Sequence, residues 1–186
     1  YDLDLYSGSP EDPLVGNDDL AKLIASPARA RLYYGHLYDI ITTAYHREYL
    51  SHWSDQLGRL LPEQDFAGHL QFAVARADWA MNRAPDAVLT QFPPVDFAIA
   101  TNGGAPLSVE APTVTLEGSG WIDVHEVWGP DPSAPLTLTW TSATSWQTTL
   151  ALACGANPIE LVALDRRDQT VGSDTLEITR SGSGCP

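Results

Sequence analysis

The chain has 186 residues, 44% of them hydrophobic, and a formal charge of -14 with a pI near 4.4. A packed core is possible, no apolar run nears the roughly 18 residues that cross a bilayer, and an acidic surface repels phosphate backbones, so no nucleic-acid partner is expected. Tyr1 stands where a starting methionine would, which reads as a processed chain or a piece of a longer one.

The first stretch, YDLDLYSG, has strand-like alternation. In an extended strand Asp2 and Asp4 share one face while Leu3 and Leu5 share the other. Two carboxylates one pleat repeat apart can hold Mg²⁺ or Ca²⁺ with waters. A solvated acidic face fits the same spacing. Asn17, Asp18 and Asp19 are cap-type residues before the short helix LAKLIA. Ser26 followed by Pro27 marks another helix start. From there Leu32 or Tyr33, Leu37, Ile40 or Ile41, Ala44 and Tyr45 recur at three-to-four spacing, with only Gly35 as a breaker. The segment SHWSDQLGRLL continues this helix or forms a second one, ended by Pro62. Asp65 can cap a last helix with an apolar stripe at Phe66, Leu70, Ala73, Val74 and Ala77, closed by Pro85.

A proline-rich linker is expected over residues 89–96, and beyond it the period changes to two. FAIAT, PTVTLEG, WIDVHEVWG, PLTLTW, SWQTTLAL, NPIELVALD and TLEITR read as short strands separated by Gly, Pro, Asn and Ser turn chemistry. Six or seven such strands predict an antiparallel β-sandwich. The fold class is therefore α+β in two domains, a helical segment over 1–88 and a sandwich over 97–182. Cys154 and Cys185 are the only cysteines, and one disulfide would tie down the Ser-Gly tail. Trp121, Trp128, Trp140 and Trp146 could stack on sugars, but in a small sandwich most are expected in the core or at a domain contact.

The β half resembles the bacterial Ig-like domains appended to secreted enzymes and surface proteins, including the glucodextranase-type accessory domain. The resemblance runs from FAIATNGGAPLSVEAPTVTLEGSG to GANPIELVALDRRDQTVGSDTLEITR, with Gly155, Asn157, Ala163, Leu164 and Asp165 in the family's turn and strand-end places. It implies spacing, docking or adhesion. Asp165 and Asp168 are expected to close a turn rather than bind calcium, and Gly155 and Asn157 are expected to tolerate positive φ. The helical half is similar to the C-terminal part of the CotH (spore-coat) kinases, on Tyr1-Asp2-Leu3-Asp4-Leu5 with Gly8, then LIASPARARLYYGHLYDIITTAYHREYLSHWSDQL. That resemblance implies a metal-binding Asp on the first strand and a kinase C-lobe.

Phosphoryl transfer also needs a phosphate cradle, a basic residue on the phosphates and a base. None is visible in this sequence: it contains no Gly-rich loop, and Lys22 lies downstream of the strand. The chain by itself is thus not expected to be a competent kinase. His46 and His52 are six apart, not at the spacing of a zinc helix. The favoured reading is a structural or interaction segment of a larger secreted or cell-surface protein, partnered by other protein segments or copies of itself. The C-terminal half of a CotH-like kinase and a carbohydrate-binding accessory unit are the alternatives.

Overall fold

A computed structural model describes residues 8–182, 184 and 185. The chain separates into two compact units, one holding Tyr1–Ala25 and Tyr33–Pro93, the other Ser26–Leu32 and Pro94–Pro186. The sequence reading places 26–32 in the helical segment; the structure groups these residues with the strands.

In the helical unit, α1 (Asp18–Leu23) is capped by Asn17, whose side chain accepts the Leu20 N–H at 2.8 Å. Helix α2 spans Pro27–Thr43, its residues up to Leu32 belonging to the other unit, and proline takes its first position. It does not run on into the next segment. Residues 44–46 interrupt it, and α3 (Arg47–Leu60) starts after an extended His46. The cause lies in the β-branched run Ile40-Ile41-Thr42-Thr43: Thr42 and Thr43 donate back to the Tyr38 and Asp39 carbonyls, and the Tyr45 N–H reaches the Ile40 carbonyl instead of the next one. Helix α4 (Phe66–Asp78) is capped by Asp65, which accepts the Gly68 N–H at 2.8 Å. It passes into one π-helical turn, Trp79–Arg83, and stops at Ala84, whose extended conformation is what Pro85 imposes.

The expected linker is not featureless: α5 (Val88–Gln91) occupies its start, with Val88 and Phe92 buried. Small side chains dominate this core, at Ala73, Ala77, Ala80, Ala84 and Ala87, around Tyr34 and Phe92 with ring centroids 5.1 Å apart. Arg76 ties the preceding loop to α4 by donating to the carbonyls of Pro10, Asp12 and Pro13.

The other unit is a sandwich of two four-stranded sheets. Its strands are β1 (Ala98–Ile99), β2 (Leu107–Val109), β3 (Thr113–Ser119), β4 (Glu126–Trp128), β5 (Thr139–Trp140), β6 (Ser145–Ala151), β7 (Gly155–Leu164) and β8 (Thr170–Arg180). One sheet has the order β1-β3-β6-β5 and the other β2-β8-β7-β4. This is the strand arrangement of an immunoglobulin-type sandwich, with four strands in one sheet and the C, F and G equivalents in the other. Every pair is antiparallel except β2 with β8.

Alternation builds the core. Val114 and Leu116 from β3 and Trp146 from β6 face Ile159, Leu161 and Ala163 from β7 and Leu176 and Ile178 from β8, all buried in one cluster. Gly118 allows this closure, because a Cβ there would collide with the Trp146 ring and the Ala98 carbonyl. Some expected strands are shorter. Only Glu126–Trp128 of WIDVHEVWG and Thr139–Trp140 of PLTLTW pair. The NGG turn is a 3₁₀ turn with Asn102, Gly103 and Gly104 at positive φ.

Candidate functional site

The candidate metal residues Asp2 and Asp4 lie outside the described residues. Among the described residues no group of three or more His, Cys, Asp or Glu is placed to hold a metal ion. No helix among them is long and apolar enough to cross a membrane.

Cys154 and Cys185 are joined, with Cα atoms 5.3 Å apart. The bond lies beside the last pair of the β7–β8 ladder, Gly155 with Arg180. It closes the open end of that hairpin and fastens the tail to it. Arg180 reinforces the same corner by donating to the Leu152 carbonyl at 3.0 Å.

Gly155 has φ +89, as the turn chemistry requires. Asn157 differs from the expectation. It sits inside β7, and its side chain bonds the Ala153 N–H and the carbonyls of Ala153, Gly155 and Ile178, standing in for ladder bonds at the strand's start. Asp165 closes its turn as expected: Oδ1 accepts the Arg167 and Gln169 N–H groups at 2.8 and 2.9 Å. Burial works to raise its pKa, yet those hydrogen bonds and the Arg167 guanidinium hold it below the ordinary carboxylate value. Asp168 takes the left-handed conformation at φ 59 that completes the turn.

The tryptophans divide. Trp121 and Trp146 are buried. Trp146 donates to the Ser119 carbonyl at 2.8 Å and stacks on Phe97. Trp128 is half-buried and donates to Glu126. Trp140 is also half-buried, and the Arg31 guanidinium carbon lies 3.2 Å from its ring centroid.

Arg31 is the residue that sequence reasoning missed. It is 5% exposed, and its guanidinium donates through Nη1 to the Gly120 and Ala143 carbonyls at 3.0 and 2.6 Å and through Nη2 to the Trp121 carbonyl. Burial brings its pKa down to about 9, with the Asp123 charge working against the fall. Burial likewise raises the Asp123 carboxyl. Nothing in PARARL distinguishes Arg31 from Arg29. No local signal marks it, because its carbonyl partners lie 89 to 112 residues away in sequence.

The helical unit presents a different feature. No residue of α3 is buried. Tyr49, Trp53 and Leu57 form one exposed stripe at four-residue spacing, continued by Leu60 and Leu61. Beside it runs an open groove of about 190 Å³ between α3 and α4, with Leu50, Trp53, Leu57, Phe66 and Leu70 among its lining residues. Over Pro94–Pro186, by contrast, Val95 is the one large apolar side chain exposed among the described residues.

A comparison with protein families finds none that matches, and a comparison with curated proteins finds none either. Among solved structures, the fibronectin(III)-like modules of CbhA from Clostridium thermocellum align with 46% of this chain and 95% of theirs, at 9% identity and a TM-score of 0.33. A likeness this slight carries no argument. The immunoglobulin-type assignment rests on the strand order and the shared core.

Proposed function

We propose that this chain is an interaction segment of a larger secreted or cell-surface protein and is not catalytic by itself. The observation that carries the reading is the exposed Tyr49, Trp53 and Leu57 stripe beside the α3–α4 groove. Contiguous apolar surface of this kind marks a protein contact more often than it is left in water. The occupant is another polypeptide segment with an apolar face, from the same protein or a second copy. The disulfide supports an oxidising compartment. The resemblance of the β half to Ig-like accessory domains supports a spacing or docking role for that unit. Residue-resolved hydroxyl-radical footprinting tests the reading. Tyr49, Trp53 and Leu57 are expected to label strongly in the 186-residue chain and several-fold less in the native parent protein. Equal labelling in both would sink it.

The second reading, half of a CotH-like kinase with Asp2 and Asp4 on Mg²⁺, is supported by the sequence resemblance of the helical half. Its test is ATP turnover that is lost on Asp2→Ala or Asp4→Ala. The carbohydrate reading asked for exposed, coplanar tryptophans; the four in the β unit are buried or half-buried, and Trp140 has an arginine over its ring.

A further inference from the structure

The β unit completes itself with a helical turn from far earlier in the sequence, and the chemistry of that contact is specific. Three main-chain carbonyls, from Gly120, Trp121 and Ala143, converge on one guanidinium group while an indole face lies against it. None of these acceptors is charged. A planar cation with forked donors satisfies all three and stacks on the ring; an ammonium is a compact point charge with no flat face to lay on the indole. The carbonyls come from two loops, one after β3 and one before β6, so they are positioned by the sandwich itself. The Asp123 carboxylate adds a favourable charge nearby and Arg166 an unfavourable one.

We propose that the part of the β unit formed by Pro94–Pro186 carries a guanidinium-binding site, walled by the Gly120, Trp121 and Ala143 carbonyls and the Trp140 ring, and that Arg31 is its built-in ligand. The site takes an arginine side chain presented from a helical turn, and the turn Ser26–Leu32 is held in the unit by this recognition.

Chemical rescue tests the site in the full chain. Arg31→Ala lowers the melting temperature and shifts the Trp140 indole resonance. Ethylguanidinium at millimolar concentration then restores part of the melting temperature and moves the Trp140, Gly120 and Trp121 resonances along a saturable curve. Ethylammonium at the same concentration does not, and the unsubstituted chain responds to neither. A response equal for both cations, equal in the unsubstituted chain, or absent altogether overturns the proposal. Should Arg31→Ala fail to fold, the unsubstituted chain decides. Its Arg31 Nη protons are expected as separate, slowly exchanging signals because the group is clamped and covered, and one averaged, fast-exchanging signal overturns the assignment. Arg31→Lys gives a further reading: it retains a charge and a stem, and is expected to melt well below the unsubstituted chain. A melting temperature equal to that of the unsubstituted chain also counts against the site.

Discussion

Removing the disulfide with the paired substitution Cys154→Ser and Cys185→Ser is expected to cost the β unit about 3.7 kcal/mol. The two cysteines are 31 residues apart, and freeing a loop of that length returns about 12 cal/mol/K of entropy to the denatured chain, which at 25 °C is the figure given. The folded ladder loses little by comparison, because Gly155 and Arg180 remain paired beside the vacated bond. With a urea slope of roughly 1–3 kcal/mol per M, the midpoint should fall by about 1–4 M. The slope itself should rise slightly, since an unlinked denatured chain is more expanded. Urea titration followed by tryptophan fluorescence measures both quantities. A stability loss under about 1 kcal/mol, or an unchanged midpoint, would refute the argument that the bond acts through the denatured chain.

Other substitutions probe the core, the turn and the helical face. Gly118→Ala should destabilise the sandwich by about 1–3 kcal/mol, because the added Cβ meets the Trp146 ring and the Ala98 carbonyl; thermal unfolding measures it. Leu116→Ala removes a fully buried side chain between the sheets and should cost about 2–5 kcal/mol in the same assay. Asp165→Ala should cost about 1–3 kcal/mol at neutral pH by leaving the Arg167 and Gln169 N–H groups without their acceptor. Because the folded-state pKa of Asp165 is depressed, its contribution is fully present above the unfolded carboxylate value near ~3.9. It is lost as pH falls through the lower folded value, so the gap between the two chains should close below about pH 4. Trp53→Ser, on an exposed face, should change the stability of the chain alone by no more than about 0.5 kcal/mol; a large loss on chemical denaturation would mean that the stripe holds the helical unit together.

Local chemistry made much of the fold legible. Asn17 and Asp65 cap helices because their side chains reach an N–H three residues on, a signal carried by sequence alone. Ile159, Leu161 and Ala163 share one face by strand alternation, and that face is the buried one. The pairing of Cys154 with Cys185 followed from there being two cysteines. What escaped depends on contacts distant in sequence or on competition between bonds. The stop at Thr43 comes from threonine hydroxyls bonding back to carbonyls, with no proline or glycine to announce it. Asn157 makes mostly local bonds, to Ala153 and Gly155, and only its contact with the Ile178 carbonyl, 21 residues away, depends on the neighbouring strand. Arg31 finds its partners 89 to 112 residues downstream, a separation at which spacing conveys nothing.

The parallel pairing of β2 with β8 has a mechanical consequence. Three residue pairs join them, Leu107 with Ile178, Ser108 with Thr179 and Val109 with Arg180, and the Ser181 N–H adds a bond to the Val109 carbonyl. Tension applied at the leading end of β2 and the trailing end of β8 drags the two strands past one another. Their bonds are then loaded together instead of opening one at a time, as they would in a hairpin pulled from its free ends. The disulfide diverts part of any pull on the tail to Cys154, at the start of β7. Under such tension the three β2–β8 pairs would therefore resist together rather than one after another.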